Sequence, residues 1–165
     1  KAAAISFLVK NGNAKYLPIF QTSINDSSYT VAGAALKGLA ALDPDNAYAA
    51  AKNQSADAKG TLSNAVNDIL IAKGTEADFN EISKAYRDAP PSFEKVGMTN
   101  KYAEYLSKMN NIANIKKGID DIMQFCNLIP EQFRGNVDPG FKTALGKISK
   151  GKGKEISDYV ASVFK

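Results

Sequence analysis

The chain contains no histidine. That removes the commonest general base and the commonest metal ligand together, so Ser-His-Asp triads, Cys-His pairs and H-E-x-x-H zinc sites cannot be built from its residues. Cysteine occurs once, as Cys126, which rules out an internal disulfide and is silent on compartment. Arginine occurs twice, as Arg87 and Arg134, which is few for a surface reading phosphates through the guanidinium fork. No run of eighteen or more apolar residues is present, and no secretory signal pattern opens the chain. The expectation is a soluble protein of unassigned compartment with no membrane partner.

Period-two alternation is also missing, whereas helix-period patterning recurs throughout. The most informative stretch is Asn13 to Lys52. At its centre, Ser28 to Leu42 places Val31, Ala35, Leu39 and Leu42 on one helical face. Asp26 and Ser27 precede it as candidate caps for the unpaired first-turn amides. Gly33, Ala34, Gly38 and Ala41 leave the other faces nearly bare, so neighbouring helices can approach closely on more than one side. This is the pattern of a stacked helical repeat.

The remaining segments repeat the scheme of cap, stripe and stop. Ala4, Ile5, Leu8 and Val9 mark a helical face ended by Asn11-Gly12, and Ala14 to Ile24 carries Tyr16, Leu17, Phe20 and Ile24. Asp43-Pro44 reads as a cap followed by a proline at the first helical position. Ala58 to Lys73 follows, and Thr75 to Asp78 opens the next helix as a near capping box, with Phe79, Ile82 and Tyr86 facing inward. Pro90 and Pro91 break the chain before a helix over Thr99 to Met109.

Asn111 to Ile129 holds the longest stripe: Ile112, Ile115, Ile119, Ile122, Met123, Cys126 and Ile129. Lys116–Asp120 and Lys117–Asp121 lie off it as i, i+4 pairs, and Asp120-Asp121 reads as a solvated acidic pair. Asp138-Pro139 repeats the cap-then-proline start for a helix facing inward through Phe141, Leu145 and Ile148. Lys154 to Phe164 closes the series. The expectation is an all-α chain of nine or ten helices: stacked antiparallel pairs in a HEAT-like, right-handed alpha-alpha superhelix. Residues 1–165 are read as a single helical-repeat domain, a C-terminal fragment of a larger chain. Its structural caps are Asp26, Asp43, Thr75 and Asp138.

Several motifs are weaker than they look. Gly146 to Gly153 matches the nucleotide-binding loop G-x-x-x-x-G-K-[ST] except at its last position, where glycine replaces the magnesium-ligating hydroxyl, and no strand precedes it. Asp43, Asp45 and Asn46 begin like a calcium loop, but Tyr48 and Gln54 stand where glycine and glutamate are required. Asn25 and Asn53 open formal glycosylation acceptors with nothing else pointing to a secretory protein. The net charge of +4 comes entirely from residues 141–165, with six lysines against two acids. Lys142, Lys147, Lys150, Lys152 and Lys154 form a possible interaction surface. Without interleaved arginines or stacking aromatics, a solvated face is preferred to a nucleic-acid interface.

The string from Asp26 to Lys52, DSSYTVAGAALKGLAALDPDNAYAAAK, resembles a HEAT-type unit. More narrowly, it resembles the helical C-terminal domain of aminopeptidase N-like zinc metallopeptidases, the gluzincin aminopeptidases. "D-x-S-Y-x-V", "L-D-P-D" and "A-Y" carry the likeness, with Lys101 to Leu106 and Pro139 to Lys154 further on. The resemblance implies a non-catalytic module covering an active site and restricting substrate access. Zinc and catalytic residues then belong to an upstream domain of the same chain, which hydrolyses peptides from the N-terminus. None of that domain's motifs occurs here, so no catalytic, cofactor or metal residue is assigned in this chain. The alternatives are a free-standing HEAT-like scaffold for a protein partner and a basic helical-repeat nucleic-acid binder.

Overall fold

A computed structural model describes residues 1–164 of the chain. Its described residues form ten α-helices and no strand, an all-α fold, gathered in two compact units, Lys1–Lys73 and Gly74–Lys165.

In the first unit, helix α1 (Ala2–Asn11) ends at Gly12, whose φ of 58° lets its N–H reach back to the carbonyls of Leu8 and Val9. A 3-10 turn at Ala14–Tyr16 leads into α2 (Leu17–Ser23), which takes Pro18 in its first turn, where no donor is lost. The centre of the unit is α3 (Tyr29–Leu42), followed by α4 (Pro44–Gln54) and α5 (Gly60–Lys73). Alternate helices are neighbours: α3 packs against α1 and α5, while α2 and α4 each pair with α3.

Two glycines allow this. A Cβ on Gly33 would lie 2.6 Å from the Thr61 carbonyl oxygen at the start of α5. On another side of α3, a Cβ on Gly38 would sit 2.8 Å from both the Phe20 ring and the Val9 side chain. Val31, Ala32, Ala35, Leu36 and Leu39 are buried between these contacts, whereas Ala41 is exposed. The Thr61 hydroxyl donates to the Tyr29 carbonyl at 2.9 Å, closing the α3–α5 seam.

The caps in this unit divide. Asp43 sits at the N-cap of α4, accepting from the Asn46 backbone N–H at 3.3 Å and its side-chain amide at 2.6 Å. Asp26 is not at the N-cap of α3, which is Ser28; its carboxylate accepts the Ser28 N–H at 3.0 Å and pairs with Lys1. It holds the turn one step before the helix.

The second unit opens with a capping box in which Asp78 accepts the Thr75 backbone N–H at 2.8 Å and its hydroxyl at 2.9 Å. This box caps a 3-10 turn, Glu76–Asp78, which runs into α6 (Phe79–Asp88). Helix α7 (Phe93–Lys108) begins six residues before the expected Thr99, because Ser92 caps it by accepting the Lys95 N–H. Then come α8 (Ile112–Leu128), α9 (Glu131–Ser149) and α10 (Gly153–Val163). Alternate helices again associate, α6 with α8 and α8 with α10 in one layer, α7 with α9 in the other.

Asp138 is not a cap. It lies inside α9, with Pro139 a mid-helix residue. Proline has no N–H to offer the carbonyl four residues back, so one rung is missing, yet the helix continues. Two contacts hold the early turns in place. The Arg134 guanidinium donates to the carbonyls of Ile129 and Asn127 at the end of α8. Val137, Phe141, Leu145 and Ile148 then continue one stripe across the proline, the last three fully buried.

Candidate functional site

The densest chemistry among the described residues is a buried polar cluster in the second unit. Helix α6 brings Ser83 and Arg87, one turn apart. Helix α7 brings Lys95, Thr99 and Tyr102 on one face, and α8 brings Asp121. Asp121, expected on a solvated face, is only 6% exposed.

Its Oδ2 accepts from the Ser83 hydroxyl at 2.7 Å and the Tyr102 hydroxyl at 3.0 Å, and Oδ1 accepts from Arg87 Nη1 at 3.1 Å. The same Arg87 nitrogen also donates to Ser83 Oγ. Every member is therefore satisfied: serine donates to the carboxylate and accepts from the guanidinium. The expected Lys117–Asp121 pair does not form, because Asp121 points into the unit. Nor does Lys116 pair with Asp120; it bonds Glu155 at 2.8 Å, while Asp120 accepts from the Tyr159 hydroxyl at 2.7 Å.

Beside this carboxylate lies Lys95, 5% exposed. Its ammonium donates to the carbonyls of Arg87 and Ala89 at 3.1 and 2.6 Å, two of the unpaired acceptors at the end of α6. It also sits 5.1 Å from the Tyr86 ring centroid and 4.9 Å from that of Phe125, where the ring faces favour a cation. Burial lowers the lysine's pKa, opposed by the charges of Asp88 and Asp121. Tyr86 and Tyr102 stack at 4.4 Å. Thr99 spends its one proton on the Lys95 carbonyl at 2.9 Å, so the Tyr86 hydroxyl must be the donor in their 2.8 Å contact. Burial, then the Asp121 charge, raises both phenols well above the ordinary tyrosine range, keeping them protonated donors.

Chemically this is a pin joining three helices. The carboxylate is saturated with donors and each hydroxyl is committed, so the cluster presents no activated nucleophile. Cys126, buried in α8 with its sulfur 4.0 Å from Asp138 Oδ1, has its thiol pKa raised by burial and then by that carboxylate, the reverse of what a reactive thiolate needs. Among the described residues, no three His, Cys, Asp or Glu side chains gather where they could hold a metal ion. No described helix is long and apolar enough to cross a membrane.

The lysines of the expected interaction surface separate. Lys142, Lys147, Lys150 and Lys154 are exposed, whereas Lys152 is half-buried with its ammonium donating to the Met109 carbonyl. The loop-like string Gly146 to Gly153 is mostly helix: α9 runs to Ser149, and α10 begins at Gly153.

Asp121 escapes detection from sequence because the isoleucine stripe is the one apolar face that the pattern of α8 displays. A second stripe, Gly118, Asp121 and Phe125 at i, i+3 and i+7, is buried too. Gly118 was the available signal, since a Cβ there would lie 2.5 Å from the Leu106 side chain.

No family model, curated protein or solved structure matches the chain significantly.

Proposed function

We propose that this chain is the helical-repeat C-terminal module of an aminopeptidase N-like zinc metallopeptidase. In this reading it forms a HEAT-like, right-handed superhelical wall that covers the active site of an upstream domain and restricts which peptides reach it. The observation that supports it best is the double-sided packing of α3. Gly33 and Gly38 admit α5 on one side and α1 with α2 on another, as a middle layer of a repeat stack requires. The inter-helix aspartate of the HEAT-like string, Asp26, also holds its turn through the Ser28 amide.

The donor set fits a non-catalytic role: without histidine, the zinc that activates water in such enzymes would be held by the upstream domain. The test is the parent enzyme with and without this segment. Deletion is expected to raise cleavage of long peptides relative to aminoacyl-nitroanilides. Zinc-dependent hydrolysis by residues 1–165 alone would overturn the proposal.

A second reading, a free-standing HEAT-like scaffold, draws on three exposed apolar side chains in the second unit. Phe93, Leu128 and Phe133, at the ends of α7, α8 and α9, are 88%, 62% and 50% exposed. A metallopeptidase domain encoded upstream in the same reading frame favours the first reading, and its absence favours the second.

A further inference from the structure

The two halves of α9 are held very differently. The second is anchored by four buried side chains, Phe141, Ala144, Leu145 and Ile148. Residues 131–140, by contrast, are all exposed or half-buried. The first half therefore gains little from the burial that supplies most helical stability in proteins.

The sequence loosens the same stretch. Gly135, Asn136, Val137, Asp138, Pro139 and Gly140 are consecutive, and all come from the weak end of the helix scale. Packing does not require the two glycines, since a Cβ on either would meet nothing within 4 Å. Pro139 has no N–H for the Gly135 carbonyl, so a rung that would tie the two halves together is missing. One turn on, the Thr143 hydroxyl donates to the Pro139 carbonyl at 2.8 Å, a back-bond that slightly loosens a helix. These features mark a hinge.

A few contacts to α8 hold the first half down. Arg134 donates from Nε to the Ile129 carbonyl at 3.2 Å and from Nη2 to the Asn127 carbonyl at 3.4 Å. Asp138 lies against the buried Cys126, with Oδ1 4.0 Å from the sulfur. Segments with so few buried contacts open locally at a free energy well below that of global unfolding.

We propose that residues 131–138 form a hinged latch, which swings off α8 about Pro139 as one unit and bares the Cys126 thiol while residues 141–149 stay docked. Cys126 reports the motion rather than acting in it. The inference concerns the second unit alone and does not rest on the parent-enzyme reading.

The experiment is alkylation of Cys126, the one thiol of the chain, by iodoacetamide, with the rate normalised to that of the urea-unfolded chain. With reclosing fast relative to alkylation, the rate follows the equilibrium population of the open form. Latch opening exposes little surface, so the rate is expected to be nearly independent of urea below the unfolding transition. It then climbs with the slope of global unfolding. Arg134→Ala is expected to raise the rate in the absence of urea about tenfold, the worth of one hydrogen bond from a charged donor. Pro139→Ala, which restores the rung between the two halves, is expected to lower it by about tenfold.

Amide hydrogen exchange separates a latch from a fraying helix end. The amides of residues 135–138 are expected to share one protection factor, well below those of residues 142–149. Protection that is uniform along α9, or that rises residue by residue from 135, overturns the proposal. So does an alkylation rate that follows the global slope down to zero urea, or one that neither variant changes.

Discussion

Replacing Asp121 by alanine tests the central claim about the second unit, that a carboxylate in α8 ties three helices together. The substitution strands three donors: the fully buried Ser83 hydroxyl, the buried Tyr102 hydroxyl and Arg87 Nη1. Each neutral buried donor left unsatisfied costs about 1–3 kcal/mol. Breaking a buried ion pair from one side costs roughly 3–5 kcal/mol when the survivor is shut away from water. Arg87 is not shut away: its side chain is 34% exposed, so it can turn to solvent and its share is small. The variant is also spared the desolvation of the carboxylate itself. The net expectation is a loss of about 3 kcal/mol. Asp121→Asn, which keeps the volume and one acceptor, is expected to lose less. The assay is urea denaturation followed by circular dichroism, with an unchanged m-value required for the comparison. Amide hydrogen exchange should place the lost protection in α6, α7 and α8. Adding Tyr102→Phe to Asp121→Ala should cost less than the two singles summed, with a coupling of roughly 0.5–3 kcal/mol. A loss within about 0.5 kcal/mol would mean that Asp121 behaves as an ordinary surface acid, and would refute the pin.

Gly33→Ala should destabilise the first unit by about 1–3 kcal/mol, because the added carbon meets the Thr61 backbone, which cannot rotate aside. Gly97→Ala in α7, with nothing within 4 Å, should instead stabilise by about 0.5–1 kcal/mol, and thermal melts of the pair check both signs. The raised pKa values of Tyr86 and Tyr102 favour folding while both states are protonated. That contribution is fully present below pH 10.0 and is lost as pH rises above it, once the unfolded chain releases phenolic protons that the folded chain keeps. The slope is at most about 1.4 kcal/mol per pH unit for each tyrosine, and alkaline denaturation of the Tyr86→Phe/Tyr102→Phe variant should show a flatter limb. Pro139→Ala should restore the missing rung of α9 and raise the melting temperature, against a full mid-helix proline cost of roughly 3 kcal/mol. A lower melting temperature would refute the missing rung as a net cost to α9.

What could be read from the sequence, and what could not, follows from the range of the forces involved. The α3 stripe and the small-residue faces beside it are local, periodic features, so Gly33 and Gly38 announced close approaches before any partner was known. Asp43-Pro44 was legible for the same reason, since a cap bonds a donor three residues away. Asp138-Pro139 has the same local grammar and the opposite outcome. Arg134 reaches back to the α8 carbonyls and Phe141 anchors the far side, and these tertiary contacts outweigh a proline's local preference to begin a helix. Asp121 failed more instructively. Polarity in a helix pattern signals solvent, but a buried acid is stable wherever enough donors converge. Its donors come from residues 83, 87 and 102, all distant from it in the chain and brought to it by the fold. Single charged residues on a helix with one obvious apolar stripe are therefore the places where sequence reading is weakest. A small residue one turn away, as Gly118 is here, is the sign that a second face is also buried. The same logic bears on Gln54. It reads as an ordinary polar residue near a helix end, and only the fold shows that one half of its amide is committed to Ile24 while the other is buried without a donor. In both units, then, the polar side chains that distinguish this chain from a generic helix stack owe their environment to contacts across helices. These are the positions at which substitution will separate a specific role from a merely structural one.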